Sequence, residues 1–275
     1  MGKLIIEAGH TSRHYWADLW RYRELFGFLA WRDLLVRYKQ TSIGVAWAVL
    51  RPLLTIMIGA GIFGSLARLP SDGVPYVIMV CAGTLPWYFF SSALSESAGS
   101  LVGNANLISK IYFPRMILPA SAVVVAFVDF AISLVILAGL MLWYGVSPTW
   151  RLLTLPVFIL LGCVSAMGPG LLFTALNVKY RDFRYIIPFM VQFGLYVSPV
   201  FYSSSAIEEK WGASGRAWTS LNPIVGVIDG FRWAILGTTQ IHWASFLVSC
   251  GIALALLILG IWYFRRTEKT FADVI

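Results

Sequence analysis

Apolar residues in this chain fall into runs of about 20, the length a helix needs to cross the roughly 30 Å hydrocarbon core of a bilayer. Six runs predict six spans: Val45 to Leu66, Tyr76 to Leu94, Met116 to Trp143, Leu152 to Leu176, Tyr185 to Tyr202 and Trp243 to Phe264. The fifth is the shortest, and the third is long enough to tilt or break. A further apolar stretch, Leu221 to Leu236, runs only 16 residues and holds Asn222, Pro223, Asp229 and Arg232. A segment that short, with two charges, reads as a re-entrant or interfacial hairpin rather than a seventh span.

Two polar-flanked patterns lie outside the spans. Tyr15, Leu19, Tyr22, Phe26 and Leu29 recur at steps of three and four, with Arg21 and Glu24 off the stripe. That period predicts an amphipathic helix whose face lies in the headgroup region or packs on another subunit. After the second span the chain reads GNANLISKIYFPR from Gly103 to Arg115. Asn104 is placed to cap a short helix with Leu107, Ile108, Ile111 and Tyr112 on one face, and Pro114 to end it. Such a surface helix suits docking of a partner and simple interfacial anchoring equally well.

Composition agrees with a membrane solvent. Of 275 residues, 59% are hydrophobic and 12% charged, about half the charged share of a soluble domain. Mean hydropathy is +0.76. Met1 to Lys39 shows no signal-peptide pattern, so the first span is expected to start insertion. Lys and Arg number 15 in the N-terminal tail, the loops after spans two and four and the C-terminus, against five in the opposite loops. Both termini are therefore expected on the cytoplasmic side. The net charge of +8 sits on the flanks of apolar runs, which argues for membrane contact and against nucleic acid. No inverted repeat is evident, so residues 1–275 read as one domain.

Candidate chemistry is sparse. Cys81, Cys163 and Cys250 lie apart within apolar runs, and His10, His14 and His242 lack ligand spacing, so no metal site and no catalytic residues are expected. No GxxxxGK[ST] phosphate loop occurs, so any ATP hydrolysis belongs to another chain. Asp129 stands mid-span, where a charge costs several kcal/mol unless paired or neutral. A packing role and a substrate-path or proton-coupling role both remain open for it, and Glu96 has no obvious partner. Arg51, just inside span one, is placed to snorkel to the interface. Aromatic groups at Trp87, Tyr88, Phe89 and Phe90, and at Tyr196, Phe201 and Tyr202, suit either a lipid belt or a channel that presents apolar ring faces to sugars.

Five ordered stretches carry a family likeness: WRDLLVRYKQTSIGVAWAVLRPLL (31–54), LVGNANLISKIYFPRMILP (101–119), NVKYRDF (177–183), SPVFY (198–202) and LNP (221–223). With them the chain resembles the permease family of ABC exporters for O-antigen, capsule and teichoic acid. The resemblance implies an all-α integral membrane fold of six spans in the bacterial inner membrane. It implies two copies around a channel, two ATP-binding cassette subunits that hold the ATP and Mg, no cofactor on this chain, and a lipid-linked polysaccharide as cargo. By the same likeness Tyr15 to Val36 looks like an interface helix, Asn104 to Tyr112 like the coupling helix, and Leu221 to Leu236 like external gate helices. A small-molecule or drug exporter of the wider ABC superfamily is the nearest rival, and a proton-coupled transporter centred on Asp129 and a membrane glycosyltransferase are the other rival classes.

Overall fold

A computed structural model describes residues 15–39, 46–71, 73–237 and 240–271. The expected span start at Val45, and His10 and His14, lie outside them. The described residues are helical, without a strand. The helices are α1 (Tyr15–Arg21), α2 (Arg23–Lys39), α3 (Ala46–Gly59, continued as a π-helical segment Ala60–Leu66), α4 (Tyr76–Gly103), α5 (Ala105–Ile108) and α6 (Ile117–Trp143). They continue as α7 (Leu155–Lys179, after a 3-10 turn Trp150–Thr154), α8 (Phe183–Val197), α9 (Ser204–Ser220), α10 (Pro223–Leu236) and α11 (Trp243–Thr267).

Five helical segments are long and apolar enough to cross a membrane: Ala46–Leu66, Tyr76–Gly103, Ile117–Trp143, Trp150–Lys179 and Trp243–Thr270. The expected fifth span is α8 alone, 15 residues that end at Val197. At 1.5 Å per residue it is about 22 Å long, short of a full crossing. Ser198 and Pro199 end it, so the expected boundary at Tyr202 fails. The second span overruns its expected end at Leu94 by nine residues, because Glu96 is satisfied within the fold and does not break the helix. The third runs unbroken for 27 residues.

α4 and α10 form the centre. Both are buried along most of their length, and α4 is packed by α6, α7, α10 and α3. α7 and α11 lie backbone to backbone at Gly168, where a Cβ would sit 2.6 Å from the Leu257 nitrogen; small residues allow this approach between membrane helices. A second, smaller core gathers the ends of α4, α7 and α11, the start of α6, and the helices α1, α2 and α5.

The N-terminal stripe is part of that second core. Tyr15 and Leu29 are buried, and Leu19, Tyr22 and Phe26 pack against them. The face thus packs on this chain's own helices. The exposed face is also aromatic, with Trp16, Trp20, Phe28, Trp31 and Leu35 outward. The helix is interrupted at Tyr22 into α1 and α2.

The segment 221–236 is one buried helix, not a hairpin. Asn222 caps it by accepting from the Ile224 N–H, Pro223 follows at the first turn, and Gly237 ends it with a left-handed φ of 69°. Its hairpin partner is α9, joined through Leu221 and Asn222.

Candidate functional site

A cavity of about 690 Å³ opens between the end of α2 and the helices α3, α4 and α6. Its polar wall is built by three elements that sequence alone keeps far apart. Arg37, in the last turn of α2, donates to both Glu96 on α4 and Asp129 on α6. Tyr38 donates its hydroxyl to the other Asp129 oxygen. The two acids with no evident partner thus share one guanidinium. Burial works against the Arg37 charge, but Glu96 and Asp129 overcome it and hold the group charged more firmly than usual. Burial and the Asp129 hydrogen bond push the Tyr38 phenol well above its ordinary value, so it stays a donor.

The opposite wall comes from α3. Arg51 lies over the Tyr88 ring at 5.7 Å, and Thr55 shares a 2.5 Å hydrogen bond with the Tyr88 hydroxyl. Among the described residues no carboxylate lies within ion-pair distance of Arg51. Trp47, Phe89 and Phe130 complete the apolar lining. By helical rise Glu96 is about 10 Å from the end of α4 and Asp129 about 18 Å from the start of α6, so the cavity lies well inside the bundle.

The other aromatics separate. Trp87 is buried against α8, where a Cβ on Gly194 would meet its ring at 2.6 Å, and Phe201 is buried and stacks on Phe63 at 5.0 Å. Neither faces open space in the single chain. Tyr196 is exposed, and Tyr202 turns its hydroxyl back to the carbonyls of Tyr196 and Val197. Only Tyr88 and Phe89 of the expected channel residues line the cavity.

Asn222, Asp229 and Arg232 converge on the break after α8. Arg232 is 2% exposed and donates to the carbonyls of Met79, Val200 and Tyr202. Gly83 makes room for it, since a Cβ there would lie 2.7 Å from the guanidinium. Asp229 accepts from Ser204 at 2.8 and 2.9 Å, and Asn222 donates to Ser198 at 2.9 Å. The SPVFY and LNP stretches are therefore two sides of one joint.

The loop after α4 departs from the expected helix. Only Ala105–Ile108 is helical, and Asn104 ends α4 instead of capping α5 with its side chain. Its amide donates to Ser100 and accepts from Arg32, tying α4 to α2. Ile108 is 7% exposed and packs into the second core, whereas Ile111 and Tyr112 are 54% and 50% exposed.

The described residues thus form a multi-pass helical protein with an aromatic-walled polar cavity between its helices. The chain belongs to the ABC-2 type transporter family, which it matches over residues 24–236. It is 29% identical to the O-antigen export system permease protein RfbA of Myxococcus xanthus over 215 residues, 78% of this chain and 81% of that protein. A Klebsiella pneumoniae protein of the same name is 28% identical over 250 residues, 89% and 92% of the two chains. The polysialic acid transport protein KpsM of Escherichia coli is 22% identical over 249 residues, 86% and 91%.

Proposed function

We propose that this chain is the membrane-spanning subunit of an ATP-driven exporter that moves a lipid-linked polysaccharide, O-antigen foremost, across a bacterial inner membrane. The observation that carries the reading is near full-length similarity to permeases named for O-antigen export and polysialic acid transport. The cavity supports it by offering polar groups and aromatic faces together, a combination that suits sugars.

In the proposed cycle two copies form the path, with both termini cytoplasmic and α8 serving as the short sixth crossing. Two ATP-binding cassette subunits hydrolyse ATP below them. The polymer, carried on an undecaprenyl-type lipid, enters from the inner leaflet beside α1 and α2. Closure of the ATPases pushes the loop 104–112, and packed helices shift as units. The joint at Arg232 holds the α9–α10 pair as an external gate.

The test is complementation. A strain lacking this chain should regain surface polymer when the chain and its ATPase subunit are supplied together, and not when either is supplied alone. Transport by the purified chain alone in a pH gradient, lost on Asp129→Asn, would replace this reading with the proton-coupled one.

A further inference from the structure

We propose that the cavity between α2, α3, α4 and α6 binds a neutral sugar unit of the cargo. The proposal rests on the export reading above. Three observations carry it.

The first is size. A cavity of about 690 Å³ falls in the range of pockets that enclose small ligands, about 300–1,000 Å³.

The second is charge balance. The described wall carries two guanidiniums, Arg37 and Arg51, and two carboxylates, Glu96 and Asp129. A phosphate placed there would gain Arg51 but face both acids, and a cation would meet the reverse. A neutral polyol carries donors and acceptors on adjacent carbons, so it satisfies both kinds of wall group at once. The ion cluster is open to such a ligand, because the Arg37, Glu96 and Asp129 side chains are 30%, 29% and 26% exposed. Each carboxylate oxygen has a second lone pair for a ligand hydroxyl.

The third is the pairing of that polar wall with rings. Trp47 on α3 and Tyr88 on α4 line the same cavity, where a ring plane takes the C–H face of a sugar. Thr55 and Ser92 add hydroxyls between the two walls.

The assignment is specific: the sugar touches Asp129, Arg51 and Tyr88, and the phosphates of the anchor stay outside. It is tested on the chain reconstituted with its ATPase subunits in lipid nanodiscs. The probe is a farnesyl-diphosphate-linked hexose with a photoreactive diazirine on the sugar. Labelling should map to peptides covering 47–55 and 85–96. Unlabelled sugar-linked lipid should compete, and farnesyl diphosphate alone should not. Asp129→Asn should cut labelling about tenfold, the usual scale for a lost hydrogen bond to a charged group, and Tyr88→Ala should lower it through the lost ring face. Ser92→Leu, which narrows the cavity one turn from Glu96, should lower labelling while the assembly elutes as wild type.

Equal displacement by farnesyl diphosphate would make this a phosphate site and overturn the proposal. So would labelling confined to α11, or variants that label like wild type. The export reading is scored separately in the complemented strain. If the wild-type chain restores surface polymer while the variants label normally, only the sugar site falls. If it restores none, export falls and the sugar site falls with it.

Discussion

Arg232 binds the backbone carbonyls of Met79, Val200 and Tyr202, and no helix satisfies the last two. Those of Val200 and Tyr202 lie in the break after α8, where the chain has left the helical pattern at the level of buried helices. In an apolar setting an unpaired carbonyl costs about 1–3 kcal/mol. Arg232→Met strands those two, so we predict a loss of at least about 2 kcal/mol, read as a lower thermal midpoint in detergent. Gly83→Ala should move the midpoint the same way by displacing the guanidinium, whereas Gly99→Ala, with nothing within 4 Å, should leave it unchanged. An unaltered midpoint in Arg232→Met would remove the joint. Arg232 and Asp229 stood out in the sequence as charges in an apolar segment, but a backbone carbonyl has no letter, so the partners of Arg232 were not legible. The Arg37 cluster was hidden for a related reason. Asp129 and Glu96 were visible, yet their cation lies 92 and 59 positions away on a helix outside the spans.

Helical phase was legible only while a helix continued. From Asn104 to Tyr112 the sequence spacing put Ile108, Ile111 and Tyr112 on one face, but the helix stops at Ile108. The chain then turns, so Ile108 faces the core and Ile111 and Tyr112 face out. The exposed pair is therefore the proposed contact for the ATPase. Ile111→Asp should abolish ATP-driven export at unchanged chain level, measured as surface polymer against a membrane immunoblot. Ile108→Ala should act differently, costing about 2–5 kcal/mol through a core cavity and lowering the chain level itself. Normal export from Ile111→Asp would sink the docking assignment. In α1 and α2 the inward stripe was legible from its period. The tryptophan face opposite was missed because two apolar faces on one helix blur the amphipathic signal. The long apolar helices α6 and α11 match their expected spans closely, since their apolar runs are long and the one charge in α6, Asp129, is paired within the fold.

At the scale of the whole molecule, the short α8 demands a neighbour. A helix of 15 residues that ends in Ser198 and Pro199 leaves non-helical backbone at membrane depth, which is tolerated only beside protein or a water-filled cavity. Arg232 covers one side of that break. On the other side Phe189, Phe193 and Tyr196 are exposed, as are Leu54, Met57 and Ile58 on α3. Exposure alone does not separate these from lipid-facing Leu254 and Ile258 on α11, which spans fully and has no break to cover. The distinction is therefore the backbone, and it favours the α3–α8 face for the proposed second copy. Phe193→Cys and Met57→Cys should give a cross-linked dimer in native membranes with a short bis-maleimide, while Ile258→Cys and the wild-type chain, with Cys81 buried and Cys163 and Cys250 half-buried, should not. Cross-linking from Ile258→Cys and none from the α3 and α8 positions would move the partner to the other side of the bundle, and the channel with it.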